Sequence, residues 1–156
     1  MTVTNHLLAG AIIVSVIKEP LLALPLAFVS HFVMDALPHF GYAGNKGYGE
    51  ALKHSLSYWV GIASTVTVIG LVILLIAQGL WIELVAGLIA ASPDLVGLYN
   101  YTRDERHNQE PNRFIHTLHI RFDRVIQRYE RPWGIYVELV AFTVLAIVLV
   151  WITRIY

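Results

Sequence analysis

From Leu56 to Ala77 the chain carries no charged side chain, and Val, Ile and Leu dominate it. A helix over that run is about 33 Å long at 1.5 Å per residue, enough to cross the ~30 Å hydrocarbon layer of a bilayer. Inside hydrocarbon every backbone polar group must be paired within the protein, so a run of this kind folds as a helix. Across the 156 residues, 56 % are apolar, only 14 % are charged, and mean hydropathy is +0.60. Those proportions exclude an ordinary soluble domain and fit a membrane protein.

Four further apolar segments flank that run. Leu7 to Ile17 is interrupted only by Gly10 and Ser15, with Thr4 and Asn5 as candidate N-caps. Lys18-Glu19-Pro20 is a turn, with Pro20 suited to the first position of the next helix. Pro38 ends or kinks that second helix. Gln78-Gly79 separates the third apolar segment from the fourth, which Ser92-Pro93-Asp94 interrupts near its end. The expected fold is an all-α polytopic transmembrane bundle, a single domain spanning 1–156. Its membrane helices are expected at about 5–18, 20–37, 55–78, 80–99 and 133–153. The first, at about 20 Å, is short for a full crossing and reads as a thin span or half of a re-entrant hairpin.

Charge sets the expected orientation. Lys46, Lys53, Arg103, Arg106, Arg113, Arg121, Arg124, Arg128 and Arg131 fall on one side of such a bundle, and only Lys18 and Arg154 on the other. Basic residues favour the cytoplasmic side, which places the N-terminus inside and the C-terminus outside. Before the first apolar run there is no basic residue, and no clear cleavage site precedes Lys18, so a cleavable signal is not expected.

A helix over about 112–130 is amphipathic. Phe114, Leu118, Phe122, Val125 and Tyr129 form one stripe, and Arg113, Arg121, Arg124 and Arg128 one flank. Next to a cytoplasmic span, such a helix is expected to lie on anionic lipid headgroups rather than on nucleic acid. His116, His119 and Asp123 occupy the other flank, as ligands or as an ordinary solvated face.

The chemistry centres on Ser30-His31-Phe32-Val33-Met34-Asp35-Ala36-Leu37-Pro38-His39. Ionisable residues inside a membrane segment are costly and mark function by default. His31 and Asp35 are one helical turn apart, so one ion can meet both. His39 is too far along a straight helix to share that ion with His31, and fits a second ion or a return after Pro38. Taken singly, His31 fits a hydrogen bond to a neighbouring helix and Asp35 a buried ion pair. His6 and Asp94 reach the same expected side, as do all seven histidines. With no cysteine in the chain, a metal here takes imidazole and carboxylate, which suits zinc, manganese, iron or nickel rather than calcium. The alternatives are a structural metal in a non-enzymatic membrane protein, or a divalent-cation transporter or sensor.

At these residues the chain resembles the small bacterial and archaeal integral-membrane proteins called membrane-bound metal-dependent hydrolases. His6 with Gly10 matches their early His-x-x-x-Gly. Ser30, His31, Asp35, Pro38 and His39 match their most specific segment. Pro93-Asp94 matches a later Pro-Asp, and His116 and His119 stand where late histidines fall. The chain departs from the pattern at Val96, where many members carry a second acid, and around Thr117. The family is distantly similar to zinc-dependent phospholipase C and three-zinc nucleases. The resemblance implies hydrolysis of a phosphoester or phospholipid by metal-activated water at the cytoplasmic face. It further implies a metal set of His6, His31, Asp35, His39, Asp94, His116 and His119. In that set Asp35 is the bridging ligand, Asp35 and Asp94 are the catalytic acids, and zinc is the first choice of ion before manganese or iron.

Overall fold

A computed structural model describes residues 1–41, 55–107 and 129–155, with the backbone alone for residues 55, 96–107 and 155. The described residues form five helices: α1 Val3–Ile17, α2 Pro20–Asp35, α3 Ser55–Ala77, α4 Trp81–His107 and α5 Gly134–Ile155. Two two-residue strands, β1 His39–Phe40 and β2 Glu130–Arg131, pair in parallel, with His39 opposite Glu130. The class is all-helical. The expected amphipathic helix over 112–130, with His116, His119, Arg113, Arg121, Arg124 and Arg128, lies outside the described residues except for its last two positions.

Helix ends follow local chemistry. α1 closes on Lys18, whose N–H donates to the Val14 carbonyl at 3.0 Å from a left-handed φ of 58°. α2 opens with Pro20 in its first turn, where a missing N–H costs nothing, and ends at Asp35, two residues before the sequence boundary. Gly79 takes φ 73° in the turn between α3 and α4, a conformation that only glycine adopts without strain. α4 differs from expectation. It continues through Pro93 to His107 instead of breaking there. A proline forfeits one hydrogen bond and crowds the preceding turn, but tertiary packing outweighs that cost when the helix is held on one side. Here Ala86, Ala90 and Ala91 of α4 are buried just before it.

α1 is the central element and touches all four other helices. Thr4 through Ala11, with Val14, are buried. Its closest neighbour is α4, and glycines make that approach possible. A Cβ on Gly10 would collide with the Ala86 carbonyl and come within 2.9 Å of Ala90 Cβ. From the other side, a Cβ on Gly87 would lie 2.8 Å from the Leu7 carbonyl. Small residues at such a crossing let two backbones meet. The crossing has a geometric consequence: His6, one turn before Gly10, lands opposite the turn of α4 that carries Asp94.

Among the described residues two helices, over Leu56–Ala77 and Gly134–Arg154, are by length and composition long and apolar enough to cross a membrane. α1 and α2, with 15 and 16 residues, are shorter.

Candidate metal centre

α2 buries a single stripe: Ala23, Ala27, His31 and Asp35, each one turn beyond the last. The two alanines let α2 close onto its neighbours, and the stripe then delivers an imidazole and a carboxylate into the interior. α1 supplies His6, which is fully buried, and α4 supplies Asp94.

These four residues meet. His6 Nε2 lies 3.2 Å from Asp35 Oδ1 and 3.8 Å from Asp94 Oδ2. His31 Nε2 lies 3.1 Å from Asp35 Oδ2 and 3.9 Å from Asp94 Oδ1. The two imidazole rings stack at 4.1 Å between centroids. One donor atom each from His6, His31 and Asp94 falls within 4.8 Å of the others. Metal–ligand bonds of about 2.1 Å place the corners of a tetrahedron roughly 3.4 Å apart. The four nitrogen–oxygen separations are of that order, but they run to both oxygens of each carboxylate and so describe a cluster of donors and not one tetrahedron.

The hydrogen bonds around the centre point its donors inward. His31 Nδ1 faces the Ala90 carbonyl at 3.0 Å. A carbonyl only accepts, so Nδ1 carries the proton, and in the neutral ring Nε2 is left with its lone pair toward Asp35 and Asp94. A bare lone pair 3.1 Å from a carboxylate oxygen is repulsive unless a proton or a cation stands between them. The interhelical hydrogen bond that would account for a lone histidine is therefore present, and it employs the other nitrogen. Neither ring nitrogen of His6 makes an aligned hydrogen bond, and Asp94 Oδ2 is buried without one. Buried polar atoms without partners are uncommon and costly, and two of them, His6 Nε2 and Asp94 Oδ2, face each other here at 3.8 Å. The α-amino group of Met1 also pairs with Asp35 Oδ1. The Asp94 side chain is 23 % exposed, against 0 % for His6, 5 % for His31 and 9 % for Asp35.

His39 is buried but stands apart from the His6, His31 and Asp94 grouping. Its Nδ1 donates to the Leu37 carbonyl at 2.9 Å. Burial, and after it the nearby α-amino group of Met1, holds its imidazole below the ordinary range, against the pull of the Leu37 carbonyl, Asp35 and Glu138. His54, His116 and His119 lie outside the described residues.

One buried acid went unread in the sequence. Glu138 of α5 is 5 % exposed and accepts from the backbone N–H of Thr2 and of Phe40, each at 3.0 Å. A lone acid in an apolar run was its only signal. No known family model, curated protein or solved structure matches the chain.

Proposed function

We propose that the chain is a multi-pass membrane protein that holds a divalent metal at His6, His31, Asp35 and Asp94 and uses it to hydrolyse a phosphoester at the membrane face. The observation that carries the metal reading is the gathering of one donor atom each from His6, His31 and Asp94 within 4.8 Å, with the Asp35 carboxylate 3.1–3.2 Å from both imidazoles. The Met1 α-amino group pairs with Asp35, no Lys or Arg is among the described ion pairs of Asp94, and a dication would balance the second carboxylate. A bound ion supplies Lewis acidity and acidifies an adjacent water. Were such an ion bound, Asp94, the most exposed of the four side chains, would be the one open to an adjacent water. His6 and His31 hold position, and His31 is fixed by Ala90.

The membrane reading rests on the inverted pattern of burial. In α2 the ionisable stripe is inside, while Leu21 is 84 % and Val33 62 % exposed. α3 and α5 expose Trp59, Val66, Ile73, Val140 and Ile147 while α5 buries Glu138. Apolar outside and polar inside is stable in lipid, not in water. We place five helices in the bilayer, the N-terminus and the metal centre at the cytoplasmic side, and the arginine-rich 112–130 segment on anionic lipids. The resemblance to membrane-bound metal-dependent hydrolases agrees with this reading, and zinc is its first candidate.

One observation favours a second reading. Two histidines and two aspartates fill the shell of a four-coordinate ion, as in a closed structural site. Turnover separates the two. Metal-loaded protein in lipid, given a chromogenic phosphodiester and phospholipid vesicles, is expected to release product, and Asp94→Asn to release none. Stoichiometric metal without turnover of either substrate supports the structural role.

A further inference from the structure

Glu138 sits one turn inside α5, in a stretch that otherwise reads Gly-Ile-Tyr-Val before it and Leu-Val-Ala-Phe after it. A carboxylate buried at 5 % in such surroundings is costly unless its oxygens are occupied. Both are. Oε2 accepts from Thr2 N–H and Oε1 from Phe40 N–H, each at 3.0 Å, and the Glu138 carbonyl accepts from Asn5 Nδ2 at 3.2 Å. None of these partners belongs to α5. Thr2 and Asn5 are the cap and first turn of α1, which carries His6. Phe40 directly follows His39.

Hydrogen bonds to an ionised acceptor are stronger than neutral ones, and two from separate segments fix those segments relative to each other. His31 is held differently, from the Ala90 carbonyl of α4. We infer that Glu138 is a positioning residue of the metal centre: its carboxylate clamps the start of α1 and the strand after α2, and so sets where His6 and His39 stand. This inference rests on the metal reading for its consequence, but the clamp has signatures of its own.

The clamp predicts that in wild-type protein without metal the Phe40 amide exchanges slowly with solvent. In Glu138→Gln one amide oxygen replaces two carboxylate oxygens, and the NH2 group opposes one of the backbone donors. The Phe40 amide is then expected to exchange at least about tenfold faster. The imidazole 15N signals of His6 and His39 should shift while that of His31 holds. With Co2+ as probe, Glu138→Gln is expected to bind about 10- to 100-fold more weakly, the usual cost of losing an orienting partner, with an altered visible spectrum. Glu138→Asp should recover part of both effects. A freely exchanging Phe40 amide in the wild type overturns the clamp without any variant. Unchanged His6 and His39 signals, or unchanged Co2+ affinity and spectrum in Glu138→Gln, overturn the positioning role. Failure of wild-type protein to take up Co2+ removes the metal reading, and the amide and imidazole signals still decide the clamp.

Discussion

The two ends of α1 are built from similar materials to different effect. At its start, His6 meets His31, Asp35 and Asp94, and both His6 ring nitrogens and Asp94 Oδ2 are buried without an aligned hydrogen bond. At its finish, Ser15 and Lys18 meet Glu83 and Thr153 around an open cleft of about 360 Å3. There Ser15 Oγ donates to the Ala11 carbonyl at 2.9 Å and to Glu83 Oε1 at 3.3 Å. The far end satisfies its polar groups locally, whereas the near end sets two imidazoles against two carboxylates and leaves His6 and Asp94 Oδ2 without a hydrogen bond. Polar residues near the ends of apolar helices are common, so presence alone separates the two ends poorly. Burial without partners separates them.

The largest effects are expected at the near end. His6→Ala or Asp94→Ala should weaken divalent-metal binding by more than about 100-fold, since losing an orienting partner alone costs 10- to 100-fold. Isothermal titration or Co2+ absorption in detergent measures it. If either variant binds as the wild type does, the two ends are equivalent and the comparison fails.

Next comes the crossing that delivers His6 to α4. Gly10→Ala forces apart a contact with no room for a methyl group, at an expected cost of about 1–3 kcal/mol, together with weaker metal binding. Gly61 and Gly70 of α3 face open space, so alanine there should stabilise by about 0.5–1 kcal/mol through helix propensity alone. Thermal midpoints of the three variants test both directions.

His39 makes a pH prediction. Its imidazole lies below the ordinary range in the folded state, so the unfolded chain binds the proton more readily. Its contribution is present above the unfolded value of about 6.5 and is lost as pH falls below it. His39→Gln should therefore lessen the loss of stability between about pH 7 and pH 5, seen as a flatter dependence of the thermal midpoint on pH. An unchanged slope would show that His39 is not held neutral.

The smallest effect is expected at the far end. Glu83→Gln should change stability by no more than about 0.5 kcal/mol, as for a surface group, and leave metal affinity unchanged. A clear fall in metal affinity there would join the two ends and undo the distinction drawn between them.

Much of this was legible in the sequence. Apolar run length and turn chemistry locate all five helices, because Pro20 and Gly79 act through their own backbones. The spacing of His31 and Asp35 puts them on one face, since that depends only on helical period. Charge asymmetry leads to the expectation that His6 and Asp94 lie on the same side as these two, and the four side chains do meet. What the sequence hid was nonlocal. Nothing adjacent to Pro93 announces that packing carries α4 through it. Ala90 has no polar side chain, yet its carbonyl sets the tautomer of His31. Glu138 looks like a stray acid until Thr2 and Phe40, far away in the chain, arrive at its oxygens.

The central claim is that the near end of α1 holds a metal, and elemental analysis of the purified full chain tests it most directly. Protein prepared without chelator is expected to carry about one equivalent of a divalent transition metal, as a single cluster of donors implies, and Asp94→Ala to carry almost none. Wild-type protein that is free of such metals, and stays free after incubation with zinc, manganese and iron(II) salts followed by desalting, would contradict the account.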